Sequence, residues 1–253
     1  MNENYQNRRR GLSEHLFLGP LRGARPSLRP FEKGVSATRR FSNFYGRDFL
    51  ITKDVLTPRP ETEQIIDAVL NLVGKPYLPG VKPSQPKLPK NPKILEVGTG
   101  SGCIAITLKL ELPEAKIQAT DISKKALKIA QKNATKHGVN NPHLFIISNL
   151  LENVKFTPGN KPDLIVANLP YVDKSWPWVD QNALKNDPDI ALYADDHGLE
   201  LIKSLIRQAA TEKIPYLILE SDPCQHNQIN QYASEKGYKL YETRGFIQVF
   251  TYL

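Results

Sequence analysis

The chain has 253 residues, 40% of them hydrophobic and 24% charged, which predicts one large or two small globular domains with a sizeable core. No apolar run approaches the roughly 20 residues that cross a bilayer, which argues against a membrane protein. The two cysteines, Cys103 and Cys224, are too few for a disulfide framework and too sparse for a metal site. We therefore predict no bound metal and a reducing, cytoplasmic compartment.

Residues 1–40 are basic and show no sustained helical or strand periodicity. They carry nine arginines and lysines against three glutamates, which supplies six of the eight net positive charges of the chain. We predict a weakly structured arm that contacts nucleic acid or the ribosome through phosphate attraction. A solvated, partly disordered terminus is the alternative interpretation.

Residues 41–75 combine aromatic side chains with a proline-ordered segment. The stretch F-Y-G-R-D-F starts at Phe44, and T-P-R-P-E-T-E starts at Thr57. The prolines keep the second stretch extended, and Thr57 or Thr62 is expected to cap the helix that follows. Arginine and glutamates directly before a helix favour the lid or wall of a site over a plain surface connection.

A proline- and lysine-rich loop over residues 75–93, to which we assign no chemistry, leads into the central motif of the chain. Residues 93–112 read as a short buried strand, three glycines on alternate positions (Gly98, Gly100 and Gly102) and an apolar helix. Strand, glycine turn and helix form the first unit of a nucleotide-binding α/β sheet. Glycines there let the backbone approach a ligand closely.

The cofactor is indicated by the residue before the first glycine. The turn also fits the dinucleotide fingerprint, with Asp121 about 20 residues further on. Glu96, an acidic residue at the strand end, tips the choice, because E-x-G-x-G-x-G resembles the first motif of S-adenosylmethionine-dependent methyltransferases.

Strands and helices alternate along the rest of the chain. Strands are predicted over residues 116–121, 144–147, 163–168 and 216–220, and closing strands over 238–241 and 246–252. Helices are predicted near 126–137, over 198–213 and around Ile229. The pattern predicts an α/β fold, a doubly wound, mostly parallel seven-stranded Rossmann-like sheet with an antiparallel closing strand.

Ligands of such sheets bind beyond the carboxyl ends of the strands, which selects the candidate cofactor residues. Asp121 suits the two ribose hydroxyls, Ile122 the adenine face, and the Asn149 amide the adenine edge. The predicted cofactor-binding residues are Glu96, Gly98, Thr99, Gly100, Gly102, Asp121, Ile122, Asn149 and Asn168.

The stretch Asn168-Leu169-Pro170-Tyr171 supplies the predicted catalytic residues. It resembles the Asn-Pro-Pro-Tyr motif of methyltransferases that act on an NH2 group attached to a planar carbon. The resemblance implies that the Asn168 side-chain oxygen and the Leu169 carbonyl accept the two amino hydrogens, while Tyr171 stacks on the substrate. Leu169 departs from the motif, but Pro170 still favours an extended backbone before it.

Taken together and in order, these motifs resemble the peptide-chain release factor glutamine N5-methyltransferases over about residues 41–253. The resemblance implies S-adenosyl-L-methionine as cofactor, a release factor as partner and methylation of the glutamine amide in its Gly-Gly-Gln loop. It also implies that Arg59, Pro60, Glu61, Asn168 and Tyr171 contact the substrate. The chain departs from the family at Leu169, at Asn149, where the family has aspartate, and in its short basic arm.

Two alternatives remain open. The same four-residue motif serves nucleic-acid amino methyltransferases that act on adenine or guanine, which the basic arm mildly favours. A cofactor-binding adaptor with weakened catalysis is the other, supported by Leu169 and Asn149. A nicotinamide-dependent dehydrogenase is disfavoured, because no part of the sequence resembles a hydride-transfer site.

Overall fold

A computed structural model describes residues 40–75, 87–141, 144–157, 159–177, 179, 184–185 and 187–253. The predicted arm, apart from residue 40, and most of the proline- and lysine-rich loop lie outside them. The strands are β1 (Arg40–Phe44), β2 (Arg47–Ile51), β3 (Lys93–Val97), β4 (Lys116–Asp121), β5 (Phe145–Ile147), β6 (Leu164–Ala167), β7 (Tyr216–Glu220), β8 (Tyr238–Arg244) and β9 (Ile247–Tyr252). The longer helices are α1 (Glu63–Leu72), α2 (Cys103–Glu111), α3 (Lys124–Lys136), α4 (Glu200–Thr211) and α5 (His226–Glu235). None of the helices in the described ranges is long and apolar enough to cross a membrane.

Seven strands form one sheet in the order β5-β4-β3-β6-β7-β9-β8. The first five of these are parallel, and β9 runs antiparallel to both of its neighbours. The predicted α/β sheet with an antiparallel closing strand is therefore confirmed. The strand predicted over residues 144–147 is one residue shorter in the structure, and β8 continues three residues beyond its predicted end.

The sheet is covered on both faces. Ile94 of β3 packs with residues of α1, α2 and α3, whereas its neighbour Leu95 packs with residues of α4 and α5. This alternation explains the continuous apolar runs of β3, β6 and β7, since a strand buried on both faces has no polar side. The helix after β3 and the helix after β6 lie on opposite faces, which opens a crevice at the carboxyl ends of these strands.

A separate hairpin of β1 and β2, which the sequence did not predict, packs against this body. Its two-residue turn is formed by Tyr45 and Gly46, both with positive φ, as tight hairpins require. The Tyr45 hydroxyl donates to Asp67 of α1 at 2.9 Å, and Phe44 and Phe49 are fully buried. The aromatic stretch is thus a small sheet seated on helices rather than part of the main sheet.

Asn133 of α3, which is fully buried, joins the hairpin to the glycine turn. Its Oδ1 accepts from the Leu50 N–H at 2.7 Å, and its Nδ2 donates to the Leu50 carbonyl at 3.1 Å. The same Nδ2 donates to the Ser101 carbonyl at 2.9 Å. One buried amide therefore binds backbone groups of both the hairpin and the glycine turn.

We expect Asn133→Ala to lower the free energy of unfolding by about 1–3 kcal/mol, because it leaves buried backbone groups unpaired. Urea denaturation measures the loss. Lys132→Ala, at an exposed neighbouring position of the same helix, is the control and should be near neutral. Equal stability of the two variants would contradict the bridging role of Asn133.

Candidate active site

A cleft of about 240 Å³ lies beyond the carboxyl ends of β3, β4, β5 and β6. It brings together most of the side chains that the sequence selected. The predicted site residues that line it are Arg59, Glu96, Gly98, Thr99, Gly100, Asp121, Ile122, Asn149, Asn168, Leu169 and Pro170. Pro60, Glu61, Gly102 and Tyr171 were also predicted but do not line it.

A larger cleft of about 480 Å³ lies at the opposite edge of the sheet, where β3 and β4 begin. Its charged lining is mainly lysine: Lys93, Lys109, Lys116 and Lys155. The glycine turn and the strand-end carboxyl groups all lie at the other edge. The smaller cleft is therefore the candidate active site.

The glycine turn meets the Asn168 stretch directly. Gly98 has φ +79°, and a Cβ added there would lie 2.9 Å from Cδ2 of Leu169. Leu169 is only 5% exposed, so its side chain covers the turn. A larger residue at position 98 is excluded both by backbone conformation and by this contact. The residue that departs from the proline of the motif thus has a packing role of its own.

Gly102 serves a different purpose from the other two glycines. An added Cβ would fall 2.9 Å from Cδ1 of Ile106 and 3.1 Å from Cβ of Ala130. This glycine lets α2 and α3 approach each other closely. The structure thus gives it a packing role at the helix start, apart from the cleft wall.

Glu96 is buried at the base of the cleft, and only one of its two carboxyl oxygens is hydrogen-bonded. Its Oε2 accepts from the Thr99 hydroxyl at 2.7 Å and from the Ala105 N–H at 2.9 Å. Its Oε1 is buried and accepts no hydrogen bond from the described residues. Burial raises the pKa of Glu96 to about 8. A bound group that presents a cation or an N–H to Oε1 would complete this environment.

Asp121 ends β4 at the neighbouring wall. Its Oδ2 accepts from the Gly100 N–H and its Oδ1 from the Ser123 N–H, both at 2.8 Å. Burial raises the pKa of Asp121, and these backbone bonds oppose the shift. Each oxygen keeps acceptor capacity for a further hydrogen bond. The carboxyl group is therefore fixed in direction and still able to accept two hydroxyl donors.

Two further predicted residues lie beside Asp121. Ile122 is 55% exposed although it is apolar, and it forms part of the cleft wall. Asn149 follows β5, and its Nδ2 donates to Glu152 at 2.9 Å. That bond leaves the Asn149 Oδ1 as an acceptor. An apolar face and an acceptor next to a carboxylate suit an aminated aromatic ring joined to a ribose.

Asn168 follows β6 with its amide group held from one side. Its Nδ2 donates to the Thr62 hydroxyl at 3.0 Å, which leaves Oδ1 on the opposite side of the amide. Thr62 therefore does not cap α1 as predicted, since its backbone is already helical and its side chain makes no cap bond. The hydroxyl is used to hold Asn168 instead.

Tyr171 lies behind the cleft wall. Its hydroxyl donates to Oε1 of Glu220 at 3.4 Å, and its carbonyl accepts from Nε2 of Gln225 at 2.9 Å. Burial and the nearby Glu220 raise the pKa of Tyr171 well above its usual value. The structure thus shows the ring held in place near Asn168, whereas stacking on a substrate stays a prediction.

A left-handed turn fixes the chain on the far side of Tyr171. Asp196, His197 and Gly198 all have positive φ, and a Cβ on Gly198 would lie 2.0 Å from the Tyr171 carbonyl oxygen. Gln225 donates to the His197 carbonyl at 2.9 Å as well as to Tyr171. This glycine therefore permits the close contact between the turn and the Asn168 stretch.

Arg59 and Thr57 are both held by Asp187. The Thr57 N–H and hydroxyl donate to Oδ1 of Asp187 at 2.9 and 2.8 Å, and Arg59 forms an ion pair with Oδ2. Thr57 thus does not cap α1 either. Arg59 reaches the cleft, while Pro60 and Glu61 are exposed outside it. The proline-ordered stretch is a wall of the site, tied across by one buried aspartate.

Sequence reasoning missed Thr62, Asp187 and Glu220 as parts of the site. Glu220 ends β7 and is 1% exposed, and burial raises its pKa to about 7. The sequence could have indicated Glu220. The rule that selected polar residues at the carboxyl ends of the first four sheet strands also selects Glu220 at the end of the fifth. Nothing local in the sequence pairs Thr62 with Asn168, which is 106 residues away.

No cluster of metal-binding type, with three or more histidine, cysteine, aspartate or glutamate side chains, occurs within the described part of the chain.

The buried Glu96 makes stability depend on pH. Because its folded-state pKa is about 8 rather than the usual 4.5 of a glutamate, the folded chain holds this proton more tightly than the unfolded chain. Its contribution to the free energy of unfolding should fall between about pH 4.5 and 8, by at most about 1.4 kcal/mol per pH unit. Glu96→Gln should therefore flatten the decline measured by urea denaturation. Exposed Glu235→Gln is the control, and an unchanged slope in Glu96→Gln would contradict the expectation.

Comparison with known proteins gives the family. The model of the methyltransferase small domain matches residues 84–222. A release factor glutamine methyltransferase of Koribacter versatilis is 42% identical over 166 residues, which are 65% of this chain and 53% of that protein. One of Flavobacterium psychrophilum is 34% identical over 206 residues, covering 81% and 66%. A bifunctional methyltransferase of Rickettsia bellii is 38% identical over 213 residues, covering 78% and 38%.

The chain spans between 38% and 66% of the length of these relatives. Among solved structures, the human methyltransferase 10 domain containing protein matches with a TM-score of 0.54 at 16% identity, over 82% of this chain and 88% of that one. A methyltransferase from Pyrococcus furiosus matches with a TM-score of 0.53 at 17% identity, covering 82% and 89%. These two likenesses concern the fold alone. The family match and the sequence relatives together show that the chain belongs to the methyltransferase small-domain family and is related to the release factor glutamine methyltransferases.

Proposed function

We propose that the protein transfers a methyl group from S-adenosyl-L-methionine to the side-chain amide nitrogen of a glutamine in a peptide-chain release factor, within the Gly-Gly-Gln loop. One observation carries the proposal. The Asn168 amide is held by its nitrogen, so that its oxygen is left as an acceptor, beside a glycine turn that Leu169 covers. The names of the relatives supply the substrate class.

The cleft residues fit the cofactor. Asp121 would accept from the ribose hydroxyls, Ile122 would pack on the adenine and the Asn149 oxygen would accept from its amino group. The unpaired Glu96 Oε1 would accept from the cationic amino group of the methionine part. When bound, the cofactor supplies an electrophilic methyl group. A cation beside Glu96 would also lower the pKa that burial has raised.

The Asn168 stretch would orient the amide to be methylated. The Asn168 Oδ1 and the Leu169 carbonyl accept the two N–H groups, which directs the nitrogen toward the methyl group. The amide nitrogen would gain the methyl group that the bound cofactor supplies and would lose one of its hydrogens to solvent as a proton. Tyr171 and Arg59 would contact the surrounding loop. No strong base is needed, since orientation and exclusion of water supply most of the rate gain.

The other partners stay predictions. The basic arm lies outside the described residues, and its contact with nucleic acid or the ribosome rests on charge alone. Methylation of adenine or guanine uses the same acceptor geometry, and no described contact favours it. A weakened cofactor-binding adaptor would bind S-adenosylmethionine without turnover. Methyl labelling of release factor, methyl labelling of nucleic acid, and cofactor binding without labelling would separate the proposed function from these two alternatives.

We expect Asp121→Ala to weaken S-adenosylmethionine binding by about 1.5–3 kcal/mol, the usual loss for hydrogen bonds to a charged group. Isothermal titration calorimetry measures the dissociation constant, and NAD should give no binding signal. Exposed Glu235→Ala is the control and should bind like the parent. Unchanged affinity in Asp121→Ala would remove this carboxylate from the cofactor site.

We expect Asn168→Ala to abolish most methyl transfer, by about 10²-fold or more, because a positioned acceptor is lost. The measurement follows labelled methyl groups from S-adenosylmethionine into purified release factor, bulk tRNA or duplex DNA. Asn140→Ala, an exposed asparagine that does not line the cleft, is the matched control. Labelling of nucleic acid but not of release factor would replace the proposed substrate. Cofactor binding with no labelling at all would favour the adaptor.

A further inference from the structure

Two buried polar side chains, Thr62 and Glu220, lie next to Asn168 but outside the Asn168-Leu169-Pro170-Tyr171 stretch. Thr62 is 3% exposed and Glu220 is 1% exposed. The Asn168 Nδ2 donates to the Thr62 Oγ1 at 3.0 Å. The Glu220 carboxyl group lies beside them: its Oε1 accepts from the Tyr171 hydroxyl at 3.4 Å, and its buried Oε2 has no fixed hydrogen-bond partner among the described residues, although the Thr62 and Asn168 side chains are close enough to interact with it. These groups come from the wall before α1, from the loop after β6 and from the end of β7.

The hydrogens in this cluster allow one arrangement. An ionised carboxylate only accepts, and a threonine hydroxyl has a single hydrogen to donate. Turning that hydrogen toward the buried Glu220 Oε2, which otherwise has no partner in the described part of the chain, leaves the Thr62 oxygen to accept from Asn168. The Asn168 NH2 group must then face the cluster, and Oδ1 must face away from it. A reversed amide would place an acceptor against the Thr62 oxygen and the carboxylate.

We propose that Thr62 and Glu220 are positioning residues that hold the Asn168 amide with its oxygen toward the nitrogen to be methylated. The inference rests on the proposed function, in which that oxygen accepts a substrate N–H. A reversed amide would present its own NH2 group to the substrate NH2 group, so neither would find an acceptor. Glu220 does not line the cleft and acts only through its neighbours.

The ionisation of Glu220 makes the arrangement sensitive to pH. Burial raises its pKa to about 7, the polar side chains of Thr62, Tyr171 and Asn168 lower it, and the charge of Glu61 raises it. The charge of Glu220 also helps to raise the pKa of the buried Cys103 thiol of α2, after burial and the charge of Glu96. A protonated Glu220 has a hydrogen to donate, so the Thr62 hydroxyl can turn toward Asn168 and accommodate a reversed amide. The turnover number should therefore rise with pH as Glu220 ionises.

The test compares Thr62→Val with Thr62→Ser in the intact chain. Valine keeps the shape of threonine but cannot accept from Asn168, whereas serine keeps the hydroxyl. We expect Thr62→Val to lower kcat about tenfold or more, with the cofactor dissociation constant within about twofold of the parent. Thr62→Ser should retain kcat within about threefold. A parent-like kcat in Thr62→Val would overturn the proposal.

Glu220→Gln tests the second member of the pair. Its amide has hydrogens to donate to the Thr62 oxygen at every pH, so the variant should lose the rise of kcat near pH 7 as well as activity. A residue with a purely structural role would leave the shape of the pH profile unchanged. Retention of the parent pH profile in Glu220→Gln would therefore contradict the role assigned to this carboxylate.

A third readout does not depend on activity. Nuclear magnetic resonance follows hydrogen exchange of the Asn168 side-chain NH2 group, which should be protected in the parent and in Thr62→Ser but fast in Thr62→Val. Equal exchange in the parent and Thr62→Val would overturn the inference even if every substrate assay failed. Protected exchange in a protein that labels no substrate would instead overturn the proposed function and leave the positioning intact.

Discussion

The structure depends on satisfying the backbone of the turn that leaves β3. A turn with three glycines has polar groups that the regular hydrogen bonds of β3 and α2 leave unpaired, and it lies in a crevice that must stay open. The N–H groups of Gly98 and Thr99 donate to the Thr120 carbonyl, and the Gly100 N–H donates to Asp121. Two elements contribute to this pairing, β4 through Thr120 and Asp121 and α3 through the amide of Asn133. The turn is therefore rigid before any ligand arrives.

The need to pair buried polar groups joins segments that are far apart in the sequence. The hairpin of β1 and β2 is attached through the same Asn133 that holds the turn, 83 residues further along the chain. Asp187 ties the proline-ordered wall to a segment 130 residues away. Each tie is one buried polar side chain that serves two backbone or side-chain partners. Removing it would leave both partners unsatisfied, which costs more than the bond itself contributes.

The sheet was predictable because its physics is local. Strands buried on both faces are mostly apolar, and β3, β6 and β7 read that way from their own residues, apart from Glu96 and Glu220 near their carboxyl ends. The hairpin was not predictable, since its position depends on a distant asparagine and its turn carries only one obvious residue, Gly46. The expected caps of α1 failed for a related reason: Thr57 and Thr62 found stronger partners in Asp187 and Asn168 than in the helix start.

The site shows the same division. Strand-end positions located Glu96, Asp121 and Asn168 in one cleft, because the carboxyl ends of parallel strands share an edge. The direction in which each side chain presents its atoms was not predictable. Gly102 belongs to the sequence motif yet serves the packing of two helices. Tyr171 belongs to the catalytic stretch, but its hydroxyl and carbonyl are held by Glu220 and Gln225 behind the cleft.

The two hydrogen bonds of Gln225 bear on how the segment between Tyr171 and His197 can vary in length among related chains. Because this side chain holds both Tyr171 and His197, the intervening segment starts and ends at two fixed points. The Val172 N–H donates to the Leu192 carbonyl, and the Ala194 N–H donates to the Val172 carbonyl. These backbone bonds bring the two ends of the segment together. Insertions or deletions in this segment would leave Tyr171 and α4 in place, and they would preserve the site wall as long as Asp187, which lies within the segment, keeps its bonds to Thr57 and Arg59. The length of this segment and the geometry of the Asn168 stretch can therefore vary separately on this scaffold.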